Sequence, residues 1–310
     1  MKLLGFLSFL LLSAAFVAAE EGEFSGRKIL LLGSSAGMAK EAGKFIASRG
    51  GKVVFSSRSQ DKLDDLLKEL GNPPNAFGIT CDAYKLEEIE SLVKKSAEVM
   101  GGIDGFMYGP THVDENFMVN LKSFEDGLWA KLNRDQQKMN VEHFLESFRM
   151  VVPYLRKEKH SSVVAISSII GRTPTKLSAP YGAAKATQDA WVKSLALAYA
   201  NEGIRVNGFA AGFHKTALAG SLPKPLLEEF DDRVPLGRGG TSEEGGEMLA
   251  FLLSKRSSYM TGQIVVSDGG VLLYNSFSEV SAFNPAKEML LHTKEDCKRL
   301  QDDTCGDSTN

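Results

Sequence analysis

The chain has 310 residues, 43% of them hydrophobic and 24% charged, with a formal net charge of −3. That is ordinary globular composition, with enough apolar material for a full core. The charge excludes the basic footprint of a nucleic-acid binder. Five scattered histidines and three cysteines show no metal-ligand spacing, so no metal is expected.

Met1-Lys2 opens a stretch, residues 3–17, that is almost wholly apolar and gives way to small residues before Glu20 and Glu21. It is shorter than the ~20 residues of a comfortable membrane span. It reads as a secretory signal peptide over residues 1–19, or as a membrane anchor if uncleaved. In both cases the body belongs to the secretory pathway, in the endoplasmic reticulum lumen or outside the cell.

From Arg27 onward, strand-like runs at 28–32, 52–55, 76–80, 103–108, 162–167, 204–209 and 263–266 alternate with amphipathic stretches, notably 37–49, 61–70, 86–99, 135–156 and 179–201. The alternation predicts a single α/β domain over 26–272, a Rossmann-type doubly wound parallel sheet of about seven strands. Two segments look like additions. Residues 113–133 are polar and irregular, and residues 273–310 form a C-terminal extension. Cys297 and Cys305 in that extension close a small disulfide loop or stay free; Cys81 reads as a buried thiol.

The first strand ends in Leu32-Gly33-Ser34-Ser35-Ala36-Gly37-Met38-Ala39. Gly33 permits a tight turn and Gly37 a close approach of backbone to a pyrophosphate. Ser34 and Ser35 can add hydroxyl donors, and the helix opening at Gly37-Met38 presents free N–H groups. After the second strand stands Ser57-Arg58, where an acid would bind the ribose of NAD; an arginine and a hydroxyl there favour NADP(H). Asp82-Ala83 follows the third strand, placing an acid that could accept from an adenine amino group or serve as a helix cap.

Tyr181-Gly-Ala-Ala-Lys185 puts a phenol and an ammonium one helical turn apart on one face. The ammonium is expected to lower the tyrosine pKa and fit it for acid–base work. Ser168 ends a strand, delivering a hydroxyl to the sheet edge where ligands of open α/β sheets bind. Asn140 lies inside a long helix.

With the Arg205-Val206-Asn207 strand, the Gly212-to-Thr216 turn and the closing Thr261-Gly262-Gln263…Asp268-Gly269-Gly270, this order resembles the short-chain dehydrogenase/reductase family from about Gly26 to Gly270. The resemblance implies that Tyr181 donates a proton to the substrate oxygen and that Lys185 supports it while holding the nicotinamide ribose. It further implies that Ser168 binds the carbonyl oxygen and that Asn140 anchors a relay water. Thr216 and the Phe213 backbone would contact the nicotinamide. It implies a small-molecule carbonyl or alcohol substrate and a homodimer or homotetramer built through the two long helices, with Ala183, Ala184, Ala186 and Ala190 allowing close approach.

The chain departs from the family pattern at Leu32 and Ala39 in the loop, at Tyr108-Gly109-Pro110-Thr111 where two asparagines are usual, and at Ala211 before Gly212. These departures leave a rival reading, an NADP(H)-binding protein with weak or no turnover. An enoyl reductase is a third; those relatives separate tyrosine from lysine by six residues. Residues 214–238 are expected to cover the substrate. Leu218, Leu222, Leu226, Leu227 and Phe230 there suit an apolar ligand or a packed lid helix.

Overall fold

The computed structural model describes residues 22–112, 127–173, 178–216, 228 and 230–273. The signal-peptide stretch, most of the polar segment 113–133, Leu218, Leu222, Leu226, Leu227 and both tail cysteines lie outside the described residues. Contacts divide the chain at Gly269, just before the predicted 272. Of the second unit, residues 270–273 are described, with a 3-10 turn at Val271–Leu273.

The first unit is built on β1 (Lys28–Leu32), β2 (Lys52–Ser57), β3 (Ala76–Thr80), β4 (Gly105–Tyr108), β5 (Ser161–Ser168), β6 (Ile204–Ala211), β7 (His214–Lys215), β8 (Gly240–Thr241) and β9 (Ile264–Ser267). Seven of these form a parallel sheet in the order β3-β2-β1-β4-β5-β6-β9, and β7 pairs with β8 apart from it. The helices are α1 (Gly37–Ser48), α2 (Gln60–Glu69), α3 (Leu86–Met100), α4 (Leu128–Gln137), α5 (His143–Leu155), α6 (Ala179–Tyr199) and α7 (Ser242–Leu253). This is the predicted Rossmann-type architecture, with its topological switch between β1 and β4.

The strands are apolar in unbroken runs because both sheet faces are covered. Alternate residues sort cleanly. Leu30, Leu32, Phe106, Val163 and Val206 pack with Ile89, Leu92, Phe144, Val151 and Val192 of α3, α5 and α6. Ile29, Leu31, Phe55, Met107, Val164 and Phe209 pack with Ala42, Ile46, Leu63, Leu249 and Leu253 of α1, α2 and α7.

Two departures from expectation matter. The helix expected from 135 begins earlier, at Leu128. Leu132 and Gln136 are buried one turn apart and give that polar segment an inward face. It then passes through a π-turn, Lys138–Glu142, before α5. The Met139 carbonyl accepts from the Tyr108 hydroxyl, and the Asn140 carbonyl accepts from Gln188 Nε2 at 2.8 Å. Groups entering the helical ladder in this way loosen it locally. The π-turn is therefore held open from β4 on one side and from α6 on the other.

Candidate active site

The β1–α1 loop shows how the chain shapes an anion cradle. Gly33 and Gly37 adopt φ of +76° and +60°. The cap of α1 is Ala36, no side chain satisfies its first turn, and no acid lies there. Elsewhere the chain does cap: Ser59 accepts from Lys62 N, and Thr241 with Glu244 forms a capping box. The open donors and positive dipole end of α1 therefore fit a pyrophosphate. A Cβ on Gly37 would lie 3.4 Å from Thr216 Cγ2, so the turn after β6 reaches the same spot.

The two loop serines divide their work. Ser34 is fully buried; its hydroxyl donates to the Leu31 carbonyl at 2.9 Å and accepts from Ser56 N at 3.1 Å. It builds the loop, whereas Ser35 is half-buried beside it. Met38 packs against Gly245 of α7. Ser57 Oγ accepts from Ser59 N at 3.2 Å, shaping the exit of β2. The Arg58 that follows is exposed, with its guanidinium free among the described residues.

At the exit of β3, Asp82 Oδ1 accepts from Tyr84 N at 3.1 Å, so one carboxylate oxygen closes the turn. The Ala83 carbonyl is 2.8 Å from His143 Nδ1. Pro110 packs over the loop, with its Cγ 3.3 Å from where a Gly33 Cβ would stand. The Phe213 carbonyl accepts from Gly240 N at 3.0 Å, and its ring stacks on Phe230 at 5.0 Å between centroids.

Ser168, Tyr181 and Lys185 come together at the carboxyl edge of β5. Ser168 ends the strand in extended geometry, accepts from Ile170 N at 3.3 Å and shares a hydrogen bond with the Tyr181 hydroxyl. Tyr181 is set by the start of α6, where Ser178 holds a left-handed φ of 56° and Pro180 opens the first turn. The Lys185 ammonium is 5.6 Å from the Tyr181 ring centre. It donates to the Ile166 carbonyl at 2.6 Å and to Gln188 Oε1 at 3.1 Å.

Burial governs the titration of this pair. It pushes Tyr181 up to about 12, against the opposing hydrogen bond from Ser168. It pushes Lys185 down to about 7, against the opposing charge of Asp189. The expected lowering of the tyrosine by the lysine is thus outweighed by desolvation.

Asn140 is fully buried on the π-turn. Its Nδ2 donates to Gln136, and its Oδ1 has no partner among the described residues. Gln136 and Gln188 were not singled out from the sequence. Their only signal is an amide at a position whose neighbours at helical spacing face inward. Among the described residues no cluster could hold a metal ion.

Residues 33–272 match the family model described as "Enoyl-(Acyl carrier protein) reductase". A 3-oxoacyl-[acyl-carrier-protein] reductase of Thermotoga maritima is 31% identical over 249 residues, covering 80% of this chain and 98% of that one. A glucose 1-dehydrogenase of Gluconobacter oxydans is 30% identical over 274 residues, covering 84% and 97%. Among solved structures, a short-chain dehydrogenase/reductase from Brucella melitensis, titled glucose/ribitol dehydrogenase, superposes with a TM-score of 0.72 at 25% identity, covering 82% of this chain and 99% of that one. Levodione reductase shares the fold, with a TM-score of 0.73 at 24% identity, covering 81% and 100%. The extent of these matches and the seven-stranded parallel sheet that carries them agree, and the chain belongs to the short-chain dehydrogenase/reductase family of oxidoreductases.

Proposed function

We propose that this oxidoreductase interconverts a small, largely apolar carbonyl compound and its alcohol with NADP(H). The observation that carries the reading is the hydrogen-bonded Ser168–Tyr181 pair with the Lys185 ammonium beside the tyrosine ring. When bound, the nicotinamide cofactor supplies the hydride. Tyr181, kept protonated at neutral pH by its burial, holds at its Oη the proton that a carbonyl oxygen gains on reduction. Ser168 offers a second hydroxyl for that oxygen, worth about 10²–10³ in rate for donors of this kind. Lys185, when charged, favours the tyrosinate left behind and orients the ribose. Asn140 Oδ1, buried and lacking a protein donor among the described residues, suits a water-anchoring role.

Arg58 supports NADP(H) over NAD(H), since a free guanidinium at the exit of β2 pairs with a 2′-phosphate. The 3-oxoacyl thioester named for the Thermotoga maritima relative is the first substrate class to test. Ala183, Ala186 and Ala190 are exposed on α6 and leave room for a second copy there, in a homodimer or homotetramer; Ala184 faces the core of its own subunit. The apolar residues 3–17 support delivery to the secretory pathway. Among the described residues no helix is long and apolar enough to cross a membrane.

The test is a thermal titration with NADPH and NADH, followed by NADPH consumption across 3-oxoacyl thioesters, enoyl thioesters, cyclic ketones and dicarbonyls. Stabilisation by NADPH, with ketone reduction lost in Tyr181→Phe, supports the reading. Turnover unchanged in Tyr181→Phe sinks it. A cofactor-binding protein without turnover is the second reading, favoured by Pro110 lying over Gly33. It predicts stabilisation by NADPH and no carbonyl consumed.

A further inference from the structure

Lys185 is tied into a chain of buried amides that crosses three elements. Its ammonium binds the Ile166 carbonyl of β5 and Gln188 Oε1. Gln188 Nε2 donates to the Asn140 carbonyl of the π-turn at 2.8 Å. Asn140 Nδ2 donates to Gln136 Oε1 at 2.8 Å and to the Gln136 carbonyl at 3.0 Å. Gln136 Nε2 donates to the His112 carbonyl, past the end of β4, at 2.9 Å. Gln136, Asn140, Lys185 and Gln188 are each no more than 2% exposed.

Chemistry fixes the direction of every link. An ammonium only donates and a backbone carbonyl only accepts. Gln188 must therefore turn its oxygen to Lys185 and its NH2 to Asn140. Gln136 must turn its NH2 to His112 and its oxygen to Asn140. Reversing any amide would set two donors or two acceptors face to face in a site without solvent. Aligned chains of this kind also polarise and strengthen one another.

We propose that Gln188 is a positioning residue for the hydride-transfer reaction: its amide clamps the Lys185 ammonium between β5 and the π-turn and so fixes where the remaining ammonium proton points. This rests on reading Tyr181 and Lys185 as the proton-handling pair. The nitrogen is tetrahedral, with one bond to Cε and two protons committed to Ile166 and Gln188. One direction is left for the reacting groups. Lysine is a flexible side chain with many rotamers, and a neutral amide holds it without adding a second charge to the site. The titratable or charged groups around Lys185 among the described residues are Tyr181 and Asp189 of its own helix, and Arg172 lies 4.0 Å from Asp189. Ile166 of β5 and Asn140 and Gln136 of the neighbouring helix bring no titratable side chain.

Gln188→Glu and Gln188→Met test this in the full chain. The glutamate keeps an acceptor for Lys185 and sets an acceptor against the Asn140 carbonyl; the methionine keeps the volume and removes both bonds. The Lys185 titration is read directly by NMR on lysine-labelled protein, with the signal assigned by its loss in Lys185→Arg. The expected midpoint moves up by about one unit or more in Gln188→Glu and down in Gln188→Met. The limb near neutrality in the pH profile of carbonyl reduction follows it in both. Thermal melts identify the folded variants, and one folded variant suffices, since each has its own direction of shift. A merely structural glutamine would change the melting temperature and leave the Lys185 midpoint where it is, and that result overturns the proposal. If the wild type reduces no carbonyl, the functional reading fails, while the Lys185 titration still decides the clamp.

Discussion

The Lys185 ammonium lies 5.6 Å from the centre of the Tyr181 ring, one helical turn along α6, and burial drives the two groups in opposite directions. Below about pH 7 the lysine is charged and the tyrosine protonated, which is the state that reduces a carbonyl. The rate of reduction is expected to be level at lower pH and to fall as pH rises through that value. Tyr181→Phe should cost about 10²–10⁴-fold in kcat. Stopped-time assays of NADPH consumption across pH check both; a profile with no limb near neutrality contradicts the assignment.

The same lysine sets a stability signature. Its pKa falls from 10.5 in the unfolded chain to about 7 in the folded one. Between those values the unfolded chain binds more protons, so this residue makes stability rise with pH across the window. Its destabilising effect is complete below about 7 and gone above 10.5. Lys185→Met should flatten the pH dependence of urea unfolding over that range. An unchanged slope would mean that the ammonium is well solvated in the native state.

Arg58 stands exposed and free at the exit of β2, beside the loop that Ser34 and Ser56 knit together. A charged hydrogen bond is worth about 1.5–3 kcal/mol. Arg58→Asp is therefore expected to weaken NADPH by about 10–100-fold and to bring NADH to parity or better. Cofactor titrations of the variant and wild type measure this. Equal NADPH affinity in the two would remove Arg58 from the cofactor site.

The strands and the Ser168–Tyr181–Lys185 set were legible because they rest on local pattern: apolar runs buried on both faces, and a spacing that puts two side chains on one helical face. Gln188 and Gln136 were not, because their roles exist only where β5, the π-turn and α6 meet. Ser34 was misjudged for a related reason; its hydroxyl turns inward to β2, and a linear sequence does not show which way a loop side chain points. Helix α7 was passed over because Gly245-Gly246 depress helix propensity, although Thr241-Ser242-Glu243-Glu244 carried a capping-box signal. The methyl of Ala39 is absorbed in the core, and the close packing around α1 falls instead on Gly43, Gly245 and Gly246.

That packing makes a prediction against propensity. A Cβ on Gly246 would lie 2.8 Å from Ala42 N, and one on Gly43 2.1 Å from Phe55 Cε1. Alanine normally favours a helix by about 1 kcal/mol over glycine. Here the backbone of α1 cannot yield at Ala42, and Gly246→Ala is expected to destabilise by about 1–3 kcal/mol. Chemical denaturation checks the sign. A stabilised variant would show that the two helices can slide apart without loss.

At the opposite edge of the sheet, Arg27 Nε donates to Asp104 Oδ1 at 2.7 Å, with both residues buried. Arg27 also reaches Ser162 Oγ at 3.2 Å, and Asp104 Oδ2 accepts from Lys28 N at 3.2 Å, so the pair fastens β1, β4 and β5 at their starts. Burial nevertheless raises the Asp104 carboxyl above its ordinary pKa, outweighing the arginine beside it. Desolvation therefore exceeds the attraction, and the pair defines strand register more than it stabilises the fold. Asp104→Ala alone leaves a buried guanidinium unpaired and should cost about 3–5 kcal/mol. The double variant Arg27→Met, Asp104→Leu should recover most of that loss, because it removes both charges and keeps the volume. A double-variant cycle by urea unfolding separates the cases. A double variant as unstable as the sum of the singles would show that the bonds to Lys28 and Ser162, rather than the ion pair, hold this edge together.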